Sequence, residues 1–327
     1  MKSTNAAAIT LAQQGQELAQ ALNLDELGRR FTAYIDTDSA DTVKTYRAAV
    51  KRLLAYFAAQ GITRPCREDV RAYRDSLKAE GLKPASVNLY LTGARLFFQW
   101  LVTEGAYSEN IAERVKAVKL DRSDSAEGHR KAYLKKDELA GVMATAQGES
   151  LKDIRDRAII ALMATAGLRC IEVARANNGD IEELAGKHYI YIQGKGRTEK
   201  GAPVEISATV LAAIRNYQQA RGTADDDAPL FTDLPSNARQ GGERLATGSI
   251  SRMVKGRFRA AGIDDERHTA HSLRHTAGTM AYRQSRNVAA TKQYMRHTNI
   301  NTTMIYIHDV EREENQMAEQ VAAALLG

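Results

Sequence analysis

The sequence predicts a mainly helical protein with two domains of unequal size. Its 327 residues fit about two domains of the usual ~100–200 residues. Apolar residues recur every three or four positions through most of the chain, whereas residues 121–132 show no apolar periodicity. Only the stretch around 188–206 contains short β-type runs. We therefore predict a small helical domain, a linker over 121–132, and a larger α-rich domain with a small antiparallel sheet.

The small domain, residues 23–120, is predicted to contain three helices. The first spans about 41–60, with N-capping side chains just before it and apolar side chains at helical spacing. The second spans 67–79 and the third about 85–104, and glycine or proline lies at each break. Residues 1–22 form an N-terminal extension whose role the sequence leaves open.

The larger domain, residues 133–327, begins with helical patterns at about 136–147 and 151–167. The runs at 188–192 and 203–206 then indicate a β-hairpin, since glycines separate them. Helical patterns return after the hairpin and continue to the end of the chain.

Composition restricts the classes of function. The content of 43% hydrophobic and 26% charged residues is that of an ordinary globular protein. No run approaches the ~18–20 apolar residues of a membrane helix, and no secretory signal is present, so we expect a cytoplasmic protein without a membrane partner. The net charge of +6 permits nucleic-acid binding without proving it.

Two helices of the small domain carry basic side chains three or four positions apart. Such a stripe suits contacts to DNA phosphates, and it is equally typical of a solvated helix face. On the first predicted helix, about 41–60 and here named α1, the α1 stripe consists of Lys44, Arg47 and Lys51. On the second, 67–79 and here named α2, the α2 stripe consists of Arg67, Arg71 and Arg74, with Arg64 just before it.

Several cations and one tyrosine form the strongest candidate site. Neither a P-loop nor an H-E-x-x-H motif is present. The segment 271–275, His-Ser-Leu-Arg-His, places its three basic residues on one side of a predicted helix. Tyr306 follows His297 by nine positions. The candidate catalytic residues are Arg169, Lys195, His271, Arg274, His297 and Tyr306, with Glu172 beside Arg169.

The order of these fragments resembles that of the tyrosine recombinases, also called the phage-integrase family. Gly-Leu-Arg-x-x-Glu, a Gly-Lys-Gly turn, His-x-Leu-Arg-His, a further His and Thr-Thr-x-x-Tyr-x-His follow one another in the family's order. The resemblance covers about residues 25–325. It implies the recombinase catalytic fold and, for the small domain, a SAM-like core-site-binding domain with the family's Thr42 and Tyr46.

The resemblance implies a role for each matching residue. Tyr306 is expected to attack a DNA phosphate, form a 3′-phosphotyrosyl bond and release a 5′-hydroxyl. Arg169 and Arg274 are expected to hold the phosphate. Lys195 matches the general acid for the leaving 5′-oxygen, with Lys200 as the alternative if the register of the turn differs.

The histidines and Glu172 have supporting roles in this scheme. His271 matches the acid–base residue, His297 an additional hydrogen-bond donor to the phosphate, and Glu172 a carboxylate that braces the site. One position departs from the family, because Arg296 stands where glycine usually precedes the histidine. The sequence leaves open whether Arg296 contacts DNA or faces solvent.

The chemistry needs these residue types. A phosphodiester transition state gathers negative charge, which the planar arginine fork meets at two oxygens. Tyrosine, with a pKa near ~10, must lose its proton during the attack. The covalent bond conserves the energy of the DNA backbone, so no ATP is needed for religation. Because so many protein cations can stabilise the charge, no metal is expected, and no cofactor is predicted.

The resemblance also implies partners. We expect double-stranded DNA core sites and a homotetramer on DNA, with a monomer or weak dimer in its absence; accessory proteins stay unknown. A terminal helix with an apolar stripe is predicted, and the resemblance favours its docking on a neighbouring subunit over docking on its own domain. The stripe consists of Met317, Val321, Ala324 and Leu325.

Alternative functions remain at this point. One is a catalytically inactive DNA-binding protein derived from a recombinase. Another is a metal-dependent nuclease that uses four histidines, and a third is a type IB topoisomerase. The recombinase is favoured, with the short N-terminus indicating an Xer-like or mobile-element enzyme for integration, excision or resolution. The four histidines are His271, His275, His297 and His308.

Overall fold

The computed structural model describes residues 30–35, 40–119, 132–194, 199–222, 225–235 and 241–316, together with 323 and 326. The chain divides into two compact units, Met1–Gly128 and His129–Gly327. The predicted N-terminal extension and most of the predicted linker lie outside the described residues.

The main helices of the first unit are α1 (Ala40–Ala59), α2 (Arg67–Ala79) and α3 (Pro84–Thr103). The helix α3 packs against both α1 and α2. The core of this unit consists of the apolar faces that the helical spacing predicted, joined by Phe97 and Trp100, which are 2% exposed. Pro84 begins α3, where its missing N–H needs no partner.

The second unit combines helices with a three-stranded sheet. Its first helices are α4 (Lys136–Ala144), α5 (Leu151–Ala166) and α6 (Cys170–Arg175). The strands are β1 (Ile181–Leu184), β2 (Lys187–Ile192) and β3 (Ala202–Ile206). The remaining described helices are α7 (Ala208–Arg221), α8 (Thr247–Ala260), α9 (Ala270–Ser285), α10 (Val288–Tyr294) and α11 (Asn301–Glu314).

The sheet is antiparallel in the order β1-β2-β3. The sequence predicted only the hairpin of β2 and β3. The edge strand β1 was missed because its side chains are mostly exposed and give no apolar alternation. Its turn to β2 holds Ala185 and Gly186, both at positive φ, as a tight two-residue hairpin turn requires.

The helix α9 organises the part of the second unit that holds the candidate residues. It packs against α5 on one side and against α10 and α11 on the other. Gly167, with φ +63°, ends α5 in the left-handed conformation and turns the chain towards α6. The candidate residues at the end of α5, on α9 and on α11 are thereby brought together. Among the described residues, no helix is both long enough and apolar enough to span a membrane.

Candidate active site

The turn between α5 and α6 places Arg169 at the N-cap of α6. Glu172, one turn later and 1% exposed, accepts hydrogen bonds from the Arg169 backbone N–H and from its Nη1, each 2.8 Å long. The Arg169 side chain keeps 35% of its surface exposed. The buried carboxylate therefore orients a guanidinium that solvent, or a ligand, can still reach.

Arg274 lies on the first turns of α9 and is 1% exposed. Its Nη1 donates to the carbonyl oxygen of Gly167, and its Nη2 donates to that of Met295. Burial, and then the nearby charge of Arg169, lower the pKa of Arg274 to about 10. With this pKa, the Arg274 guanidinium stays charged at neutral pH. The two carbonyl oxygens that hold it belong to the turns after α5 and α10.

Tyr306 lies on α11 with 3% of its surface exposed. Its ring stacks on His297 at a centroid distance of 5.7 Å and meets His275 edge to face at 4.9 Å. Gly278 of α9 faces the ring so closely that a Cβ there would overlap it. Burial raises the pKa of Tyr306, while Arg274 and Arg169 act to lower it.

His297 is 8% exposed and lies beside Tyr306. Its Nδ1 is 3.0 Å from Thr303 Oγ1 on α11. Burial, followed by the charge of Arg274, lowers the pKa of His297 to about 4. His297 is therefore neutral at neutral pH, and it carries its proton on Nε2 when the Thr303 hydroxyl donates to Nδ1.

A cavity of about 550 Å³ opens beside the two arginines. Its wall includes Arg169, Arg274 and the exposed His271, together with Cys170 and Lys255. Three of the predicted catalytic residues thus line one cavity that is large enough for a phosphate group. Tyr306 approaches the same charges from α11, since Arg274 and Arg169 both act on its hydroxyl.

Comparison with known proteins decides the family. The Phage integrase family model matches residues 132–313, and the model of the family's N-terminal SAM-like domain matches residues 29–105. The chain belongs to the phage integrase family. The predicted class, a site-specific tyrosine recombinase that breaks and rejoins DNA, is confirmed. One relative, the tyrosine recombinase XerC of Salmonella typhi, is 28% identical over 299 residues, covering 88% of this chain and 92% of the relative.

Solved structures agree on the fold. The XerH recombinase bound to palindromic difH substrate matches with a TM-score of 0.69 and 19% identity, covering 95% of this chain and 86% of that one. The lambda integrase tetramer bound to a Holliday junction matches with a TM-score of 0.64 and 16% identity, covering 89% and 79%. The predicted fold, a SAM-like helical domain followed by the recombinase catalytic domain, is confirmed.

Two residues of this recombinase site were not assigned to it by sequence reasoning. Sequence analysis assigned His275 no role in a recombinase, yet its ring contacts Tyr306, and its Nε2 is 3.6 Å from Asp309 Oδ2. No feature of the sequence indicated a role for Gly278. Both lie on α9, and only the packing of α11 against that helix reveals their proximity to Tyr306.

Of the two alternatives left open for Arg296, the structure contradicts the one in which it faces solvent. Its side chain is 18% exposed and lies against the end of α5 rather than pointing into solvent. There it donates to the carbonyl oxygens of Ala166 and Gly167, at 3.3 and 3.2 Å.

The two candidate lysines differ in what the structure describes. Lys195 lies outside the described residues. Lys200 is 2.7 and 2.9 Å from the two carboxylate oxygens of Asp180 and forms an ion pair there.

The two basic stripes of the first unit also differ. Each arginine of the α2 stripe has an acidic partner at 2.9 to 3.3 Å. The side chains of the α1 stripe are exposed and form no ion pair with another residue of the described part. No group of three or more potential metal ligands occurs within the described ranges.

Proposed function

We propose that this recombinase cleaves and rejoins double-stranded core-site DNA through a 3′-phosphotyrosyl bond on Tyr306, without metal or ATP. The observation that carries the proposal is the position of the Tyr306 ring, stacked on His297 and within the field of Arg169 and Arg274. A tyrosine next to two guanidinium groups and a neutral histidine has the surroundings that attack on a phosphodiester needs.

In the cleavage step the Tyr306 oxygen forms a bond to phosphorus, and the bond from phosphorus to the 5′-bridging oxygen breaks. The tyrosine proton passes to a base, for which His271 at the open cavity is the candidate. A general acid gives a proton to the leaving oxygen, so a free 5′-hydroxyl results. Religation runs the same steps in reverse, and the phosphotyrosyl bond supplies the energy.

The arginines and His297 stabilise the charge that develops on the non-bridging oxygens. Arg169 and Arg274 are fixed before DNA binds, by Glu172 and by the Gly167 carbonyl respectively, so little reorganisation is needed during the reaction. His297 is neutral and can donate from Nε2 without adding a charge that would have to be desolvated.

Lys195 is the proposed general acid. The support for it over Lys200 is the ion pair of Lys200 with Asp180, since a side chain held by a carboxylate is not free to reach the leaving oxygen. Lys195 also lies in sequence between β2 and β3, which pair as a hairpin.

Contacts of the first unit with DNA are proposed to come mainly from the α1 stripe. Its cations are exposed and pair with no carboxylate of the described part, whereas those of the α2 stripe already pair with carboxylates. A counterion released at each phosphate contact would make this binding depend on salt.

Assembly as a homotetramer on DNA is the proposed working state, as in the lambda integrase tetramer bound to a Holliday junction. The predicted C-terminal helix would dock its apolar stripe on a neighbouring subunit and complete the ring. Most of that helix lies outside the described residues. Integration, excision and resolution all use this chemistry, and the choice among them depends on the DNA sites.

The test compares Tyr306→Phe with Tyr294→Phe. Tyr294 is a matched control, because it lies on the neighbouring helix α10 and donates its hydroxyl to a backbone carbonyl of α5. A duplex selected by the protein from a randomised pool serves as core site, with a nick that lets the 5′-hydroxyl fragment diffuse away. We expect Tyr306→Phe to bind this duplex and form no covalent adduct, and Tyr294→Phe to form one. An adduct that persists in Tyr306→Phe would contradict the proposal.

A further inference from the structure

Arg296 occupies an unusual backbone position in the active site. Its φ of +54° lies in the left-handed region, which favours glycine. Its Nε is buried and has no acceptor among the described residues. Burial also lowers the pKa of this guanidinium, against the effect of Glu172. A charged residue kept in a strained turn with an unsatisfied donor is typical of a functional site.

The contacts of Arg296 reach the partners of both phosphate-binding arginines. Its Nη2 donates to the Gly167 carbonyl, which also accepts from Arg274. The same nitrogen is 3.6 Å from Glu172 Oε2, and this carboxylate holds Arg169. One side chain therefore lies between the two groups that fix the phosphate-binding pair.

We propose that Arg296 is a positioning residue that joins Arg169 and Arg274 into one rigid phosphate-binding unit, through Glu172 and the Gly167 carbonyl. The proposal rests on the proposed function of the site. Arg296 does not touch the reacting atoms. Arg296 and Arg169 both lie beside the carboxylate of the buried Glu172, so Arg296 offsets part of its negative charge. More of the positive charge of Arg169 is then left to attract the DNA phosphate.

The charge count of the site supports this role. Glu172 is the negative group beside three guanidinium groups, so the described cluster has two positive charges in excess. Without Arg296 the excess falls to one. The proximity of Arg296 also contributes to the low pKa of His297.

The experiment measures single-turnover adduct formation on the nicked, selected duplex with three variants. Arg296→Gly removes the side chain, and glycine tolerates the left-handed backbone at this position. Arg296→Lys keeps a positive charge but lacks the planar guanidinium. Arg286→Gly is the matched control, since Arg286 has φ +48° at the end of α9 and pairs with Glu314 at the surface. Wild-type protein and Tyr306→Phe are run alongside, so a failure of the proposed function shows first as a wild type without adduct.

We expect Arg296→Gly to melt no lower than wild type and to bind the duplex within about twofold, because glycine relieves the turn. Its adduct formation should be about 10- to 100-fold slower, the cost of a small misplacement of binding groups. Arg296→Lys should recover part of the rate, and Arg286→Gly should retain all of it.

The pH profile supplies a second readout. Loss of a cation beside His297 raises the pKa of that histidine, so the acid limb of the rate should move to higher pH in Arg296→Gly. The groups that face His297 are Arg274 and His271 from α9, Arg169 before α6, Tyr306 on α11 and Arg296 itself.

Three results would overturn the inference. The first is cleavage by Arg296→Gly within twofold of wild type. The second is a loss of rate that only follows a lower melting temperature or weaker binding. The third is a lysine variant no faster than the glycine variant, which would make Arg296 a structural cap of α5.

Discussion

Gly278→Ala should displace Tyr306, the proposed nucleophile, while leaving the fold intact. A Cβ at this position would lie 2.5 Å from Cζ and 2.7 Å from Cδ2 of Tyr306. Carbon atoms in contact are about 3.5–4.0 Å apart, so the ring must move by about 1 Å. A displacement of about 1 Å costs a reaction about 100-fold, or about 2.7 kcal/mol in its barrier.

The effect on stability should be smaller than the effect on rate. Alanine stabilises a helix interior by about 0.5–1 kcal/mol relative to glycine. Overpacking against the ring costs about 1–3 kcal/mol, so the two contributions partly cancel. Gly141→Ala is the matched control, because Gly141 lies inside α4 and a Cβ there meets no atom within 4 Å. This control should be slightly more stable than wild type and equally active.

The assay is single-turnover adduct formation at saturating enzyme, with thermal melts of each variant. An adduct rate for Gly278→Ala within about threefold of wild type would contradict this prediction. It would mean that the Tyr306 ring moves without loss of reaction rate. The close approach of α9 would then not determine the position of this proposed nucleophile.

Three further predictions concern the general acid, the DNA contacts and assembly. Lys195→Ala should slow cleavage of ordinary DNA. Its cleavage rate should recover on a duplex with sulfur at the bridging 5′-position, because a thiolate leaves without a proton. Recovery in Lys200→Ala instead would assign the role of general acid to Lys200. Alanine at all three positions of the α1 stripe should reduce the slope of log affinity against log salt by up to about 3, and more than the same change in the α2 stripe; equal slopes would contradict the assignment. Deletion of 317–327 leaves α11 whole and should abolish cooperative binding to two-site DNA while single-site binding persists; unchanged cooperativity would mean that the tail docks on its own subunit.

The sequence predicts the helices of this protein well because their apolar faces are local patterns. The bounds of α1, α2 and α3 differ from the prediction by at most one residue at each end. The strand β1 escaped prediction for the opposite reason. It is a short edge strand whose mostly exposed side chains include Glu182 and Glu183, and it exists because β2 offers it hydrogen-bond partners.

The candidate site divides in a similar way. The residues that match the family motif could be identified from their order along the chain. Gly278 and His275 were not, because their importance comes from the packing of α11 against α9, which joins positions about thirty residues apart. The setting of Arg296 also depends on the end of α5, to which it donates across about 130 positions of sequence.

Mapping the covalent adduct tests the central claim most directly. Wild-type protein is trapped on the nicked duplex, digested with trypsin and nuclease, and the modified peptide is sequenced by mass spectrometry. We expect a 3′-phosphonucleotide on Tyr306, the only tyrosine of the tryptic peptide 297–312, and a free 5′-hydroxyl on the released strand. An adduct on the peptide 293–296, which carries Tyr294, a 5′-phosphate linkage, or cleavage without any adduct would contradict it.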